Sequence, residues 1–189
     1  ALSSAEGEAG NVRLYPIVYR EEQGKWKITL KSTFGKSGYL SEDFERLGKA
    51  PSLSSQLHPL THPAGKNKTV IAIPTERSEI GGVLMTVYQI YAYDQQTNAL
   101  DAYGNIQTAE DATASCTDNQ ESSCQTNYTG SLSFADNPKG EMPIIKVKRK
   151  GYGVTRATGE VGKLSRQDDF EYHYDKSLSD QYFEIHSAG

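Results

Sequence analysis

Hydrophobic and polar positions alternate along much of this chain, and the clearest case is Lys25 to Lys31. Trp26, Ile28 and Leu30 fall on one side, with Lys25, Lys27, Thr29 and Lys31 on the other. That period of two predicts a strand with one wet face and places Trp26 in the core. Val12 to Arg20 reads as a second strand, interrupted by Pro16, which marks an edge or a bulge because proline donates nothing to the ladder. Glu21-Glu22-Gln23-Gly24 joins the two as a hairpin.

Val83 to Tyr93 reads VLMTVYQIYAY and is apolar on both parities, as in a strand covered on both faces. Further strands are expected at Val70 to Ile73, Ala99 to Thr108, Tyr128 to Phe134, Ile144 to Arg149, Gly151 to Arg156, Phe170 to Tyr174 and Tyr182 to His186. Asp94 to Asn98 reads as a turn, and Pro51 to Gly65, rich in proline, as loop. One short helix is expected over residues 42–47. Ser41 would cap it, acidic side chains fill its first turn, Phe44 and Leu47 face inward, and Gly48 ends it. About nine strands with so little helix predict an all-β fold, a β-sandwich or barrel-like. Residues 1–10, small, polar and acidic, are expected to form a flexible tail, and residues 11–189 a single β domain.

Composition supports this reading. Twelve tyrosines and seventeen glycines with few Met and Trp suit pleated sheets and turns. No run approaches the roughly 18 apolar residues of a membrane-spanning helix, so no transmembrane segment is expected. The chain opens Ala1-Leu2-Ser3-Ser4-Ala5 without Met, which points to a mature protein whose signal peptide has been removed. Cys116 and Cys124, the only cysteines, flank the polar stretch TDNQESS. Two thiols at that spacing, with no nearby His, are expected to form a disulfide rather than a zinc site, and so a periplasmic or extracellular home.

Motifs for chemistry are mostly absent. Gly35-Lys36-Ser37 lacks the upstream glycine of a phosphate-binding loop, since Leu30 stands there. Gly151-x-Gly153 opens no helix and reads as a bend or bulge. His58 and His62 are each followed by proline, which prevents a helix that would align them on a metal. Asp168-Asp169 and Glu110-Asp111 are neighbours that point to opposite sides of a strand and read as solvated charges. The Cys116–Cys124 stretch lacks the spaced oxygen ligands of a calcium loop. Asn67-Lys68-Thr69 and Asn127-Tyr128-Thr129 match glycosylation acceptors, which matter only on a eukaryotic secretory route. No catalytic residue, metal or cofactor is expected.

Charge changes the picture most. Between Arg77 and Lys139 no Lys or Arg occurs, while eight carboxylates do, so this stretch carries a formal −8 against +4 for the remainder. A basic run follows at Lys146, Lys148, Arg149 and Lys150, with Lys146 and Lys148 on one strand face. Either the two poles neutralise each other across neighbouring strands and guard sheet edges, or the central stretch presents an acidic surface that steers a basic protein partner, and the basic run could instead meet an anionic polysaccharide. The expectation is therefore an extracytoplasmic, non-enzymatic protein-binding domain, such as an inhibitor or immunity protein for a cationic secreted enzyme. Asp111, Asp118, Asn119, Glu121 and Tyr128 are its candidate binding residues, around the disulfide loop. The alternative is a cell-surface or adhesin-type carbohydrate-binding module using Tyr88, Tyr91, Tyr93, Tyr103 and Tyr128 as aromatic faces. A hydrolase without a recognisable motif ranks third. Overall acidity argues against nucleic acid.

Overall fold

The computed structural model describes residues 2–6, 12–31, 47–54, 56–79, 81–116, 125–140, 142–178 and 181–185. The fold is all-β, with two sheets. The first holds β1 (Leu2–Glu6), β2 (Val12–Glu22) and β3 (Lys25–Lys31), in that order and antiparallel. Its hairpin turn uses Gln23 and Gly24, both at positive φ, as a two-residue turn compatible with strand twist requires.

Three sequence expectations change in this sheet. Leu2–Glu6 is a strand paired with Val12–Pro16, not a loose tail. Pro16 lies in the middle strand opposite Leu2, and the bulge falls later, between Val18 and Tyr19. Trp26 is 70% exposed rather than buried. Alternation decides which side chains share a face, but not whether another layer covers that face. Trp26 sits two residues past the turn, opposite exposed Glu21, on the outermost strand.

The second sheet has ten strands: β4 (Leu47–Leu53), β5 (Leu60–Ala64), β6 (Lys68–Glu79), β7 (Leu84–Asp94), β8 (Ala99–Asp111), β9 (Asn127–Ala135), β10 (Ile144–Val154), β11 (Val161–Lys163), β12 (Phe170–Asp175) and β13 (Gln181–Ile185). Its path runs β13-β12-β10-β9-β8-β7-β6-β4, with β11 on β10 and β5 on β6. The expected Pro51–Gly65 loop is in fact part of β4 and all of β5, two short strands laid end to end along one side of β6. Pro63 is tolerated because β5 ladders only with β6. Of the expected helix, residues 42–46 lie outside the described residues, and Leu47 begins β4. The described helical segments are 3-10 turns, among them Thr113–Ser115 and Arg166–Asp168.

This long sheet bends sharply between β8 and β9, which pair only at Glu110↔Tyr128 and Asp111↔Asn127. Beyond that corner the two halves face each other. Tyr103 of β8 packs edge-on against Tyr174 of β12, and His62 of β5 against Phe134 of β9. β8 thus meets β12 near its start and β9 at its end. Gly130 makes the corner possible: a Cβ there would stand 2.6 Å from the Thr108 carbonyl oxygen and 2.8 Å from that of Lys148.

Val70, Tyr88, Ile90, Ile106, Leu132, Ile145 and Val147 form the heart of the core between the layers. Tyr103 and Ile106 share the inner side although three apart, because β8 shifts register against β7 between Gln89 and Tyr91. β7 is buried on both sides, as its sequence predicts: Val87, Gln89 and Tyr91 on the second face are covered too. Burial pushes the Tyr91 hydroxyl up to about 12, with Arg77 pulling the other way.

Ile144–Arg149 and Gly151–Arg156, expected as two strands, are largely the single strand β10. Gly151 lets it bend, at φ +125 and with no room for a Cβ against the Asn127 carbonyl. Asp168, expected to be a solvated charge, is 3% exposed. Its carboxylate accepts hydrogen bonds from the Arg156 and Ser165 backbone N–H groups and the Ser165 hydroxyl. Its carbonyl oxygen accepts from the Arg149 guanidinium, which lies 3.8 Å over the Phe170 ring.

Candidate binding surfaces

The strand register builds one corner from the acidic stretch. Ser78, Leu84, Asp111 and Asn127 lie in one row across β6, β7, β8 and β9, and Arg77, Met85, Glu110 and Tyr128 in the next. Glu79 ends β6 beside them. Asp111 starts the loop that follows β8: its carboxylate accepts from the Thr113 N–H at 3.0 Å and the Thr113 hydroxyl at 2.6 Å. Those bonds hold its pKa below the ordinary value against a small opposing effect of burial. The Ala112 N–H to Thr126 carbonyl bond closes the base of the loop, and Gly82 of the β6–β7 turn packs against Ala114. Leu84, in the same row as Asp111, is 55% exposed.

The other sequence-predicted residues fare differently. Cys116 is exposed and is not a free thiol. Asp118, Asn119, Glu121 and Cys124 lie outside the described residues. Tyr128 is 7% exposed and supports the corner from within. Gln107 Nε2 donates to its hydroxyl at 2.9 Å and to Glu110 Oε2 at 2.7 Å, and the Arg149 guanidinium lies 5.2 Å from its ring. Burial, then the Glu110 charge, raises the Tyr128 pKa. Tyr88, Tyr91 and Tyr103 are buried as well, so these rings offer no open aromatic face. Among the residues of the first sheet whose side chains are described, the exposed aromatics are Trp26 and Tyr19, which sit diagonally on one face of the β2–β3 hairpin.

The eight carboxylates do not form one pole. Asp94 and Asp101 lie at the opposite end of β7 and β8 from Glu110 and Asp111. Lys68 stands opposite Asp94 in the ladder. Asp136 is exposed, 3.5 Å from His62 Nε2.

Asp101 instead lines a cleft of about 950 Å³ at the open end of the two layers, with Lys68, Tyr103, Lys139, His173 and Asp175 among its walls. Sequence reasoning missed it, because its walls come from segments far apart in the chain. His173 Nε2 lies 2.6 Å from Glu171 Oε1, and Lys146 Nζ is 3.4 Å from the other Glu171 oxygen. The His173 hydrogen bond, then the Lys146 charge, holds Glu171 below the ordinary carboxylate range despite partial burial. His173 and Glu171 make the kind of hydrogen-bonded pair in which a carboxylate orients a histidine, but no serine, threonine or cysteine lines the cleft among the described residues. No group of three or more potential metal ligands occurs among the described residues either. The cleft, with cations and anions on its walls, suits a polar ligand carrying both charges or none. No described helix is long and apolar enough to cross a membrane. Comparison with protein-family models, with curated proteins and with solved structures yields no match to this chain.

Proposed function

We propose that this chain is a non-enzymatic binding domain working outside the cytoplasm, docking a basic protein partner at the β6–β9 corner. The observation that carries this reading is Leu84, an exposed apolar side chain in the same row, and so on the same face, as Asp111. Interfaces combine such an apolar anchor with charged surroundings that steer the encounter. The Cys116–Cys124 segment leaves from this corner, and a disulfide there would reduce the entropy lost on docking. An inhibitor or immunity protein for a cationic secreted enzyme is the concrete form of this role. The carbohydrate-binding alternative now rests on the Trp26 and Tyr19 pair, since four of the tyrosines that first favoured it, Tyr88, Tyr91, Tyr103 and Tyr128, are buried and Tyr93 is half-buried.

The test is surface plasmon resonance with the partner captured from the native secretome. Asp118→Asn combined with Glu121→Gln should slow association, most at low salt, because at about 0.15 M the screening length is near 8 Å. Leu84→Ala should instead speed dissociation. Equal on-rates and no salt dependence would remove the acidic corner as the docking surface.

A further inference from the structure

The outer face of the second half of the large sheet carries a row of cations without a counterpart in the acidic corner. Along β10 the side chains of Lys146, Lys148, Lys150 and Tyr152 all point outward and are exposed, while Ile145, Val147 and Gly153 are buried. At about 3.4 Å per residue, the three lysines stand roughly 7 Å apart over about 14 Å. The register places a hydroxyl opposite each: Ser133 by Lys146, Ser131 by Lys148 and Thr129 by Lys150. All three are exposed, because β9 turns Tyr128 and Leu132 inward. Lys163 of β11 lies opposite Tyr152 and adds a fourth exposed cation. Two carboxylates meet this row: Glu171, 3.4 Å from Lys146 Nζ, and Asp169, which accepts from the Arg149 backbone N–H at 2.9 Å. Lys148 and Lys150 have no carboxylate within ion-pair distance among the described residues. Arg149, the remaining member of the basic run, is turned inward onto Phe170 and the Asp168 carbonyl.

We propose that this face binds a linear acidic polysaccharide lying along β10. Evenly spaced lysines match a chain with regularly repeated carboxylates. The parallel row of serine and threonine hydroxyls can donate to and accept from sugar hydroxyls. Tyr152, 55% exposed at the end of the row, offers a stacking place for one pyranose ring. A nucleic acid fits less well. Single strands are held by an aromatic ring for successive bases and by extensive backbone neutralisation, and this face has a single described aromatic, on a protein of net charge −4. This inference uses none of the residues of the acidic corner and stands independently of the docking role proposed there.

Isothermal titration of the full chain with polygalacturonate tests it, with dextran, an oligo(dT) and phosphatidylglycerol vesicles in parallel. Polygalacturonate should bind, weaken as salt rises, and exceed the other three. Lys148→Gln with Lys150→Gln should weaken binding by about tenfold or more and flatten its salt dependence, as fewer counterions are released. Tyr152→Ala should weaken binding while leaving the salt dependence as it is. These side chains are exposed, and unchanged circular dichroism and urea midpoints would show that the variants remain folded. Equal affinity of the variants, absence of polygalacturonate binding, or stronger binding to dextran, to oligo(dT) or to the vesicles would overturn the proposal.

Discussion

Replacing Asp168 by Ala removes the carboxylate around which the β10–β12 connection is organised. Its two oxygens accept three hydrogen bonds, from Arg156 N at 2.8 Å, Ser165 N at 2.7 Å and Ser165 Oγ at 2.8 Å. Alanine leaves two backbone N–H groups without their acceptor, each worth about 1–3 kcal/mol when buried, so the expected loss is about 3–4 kcal/mol. For a chain of this size that lowers Tm by roughly 6–16 °C, at about 2–4 °C per kcal/mol. Urea unfolding at neutral pH reads it as a lower midpoint with unchanged slope. Asp168→Asn, which retains one acceptor toward Arg156, should lose less. The pH dependence has a definite sign. Burial opposes ionisation of Asp168, but the Arg156 and Ser165 hydrogen bonds and the Arg149 charge outweigh it, so the folded pKa lies below the ordinary 3.8. A carboxyl depressed on folding contributes stability above its unfolded pKa and loses that contribution as pH falls through the folded value. The gap between wild type and Asp168→Ala should therefore be full at about pH 5 and narrow towards about pH 2. A variant within about 0.5 kcal/mol of wild type, or a gap that widens on acidification, would refute the reasoning.

Trp26 is the single tryptophan and is 70% exposed, so native fluorescence should be red-shifted and quenched by acrylamide almost as in the unfolded chain. Trp26→Ala should shift stability by no more than about 0.5 kcal/mol, and shielded, blue-shifted emission would contradict this placement. Gly130→Ala should cost about 2–3 kcal/mol in urea unfolding, because the new methyl meets two backbone carbonyls and not a side chain that could move; an alanine variant as stable as wild type would mean that the β8–β9 corner is looser than described.

Much of the fold was legible in local pattern. The double-parity apolar run of β7 announced a strand covered on both faces, and the polar alternation in β3 and β10 announced strands with a wet face. Short edge strands were not legible. β5, with two prolines near it, looks like loop until β6 supplies its ladder partner. Of the candidate site, Asp111 was found by charge alone and does sit at the corner, whereas Tyr128 was chosen for its ring and turned out to be core. Leu84 drew no notice, since a single leucine at the start of an apolar run carries no sign of exposure.

By itself the sequence determined the β class, the doubly covered β7 and the separation of acidic from basic stretches, because period, composition and charge order are local properties of the chain. The tertiary structure alone decided which faces are covered and which charges become neighbours. Trp26 is exposed although its alternation predicts a covered face. Asp94 and Asp111 belong to one acidic stretch yet lie at opposite ends of a sheet, because antiparallel strands return each turn to the far side. Asp168 is buried because Arg156 and Ser165, on either side of β11, point their N–H groups at it. The lysines of β10 gain a matching row of hydroxyls only through their register with β9, a pairing of residues up to 21 positions apart that no local pattern encodes.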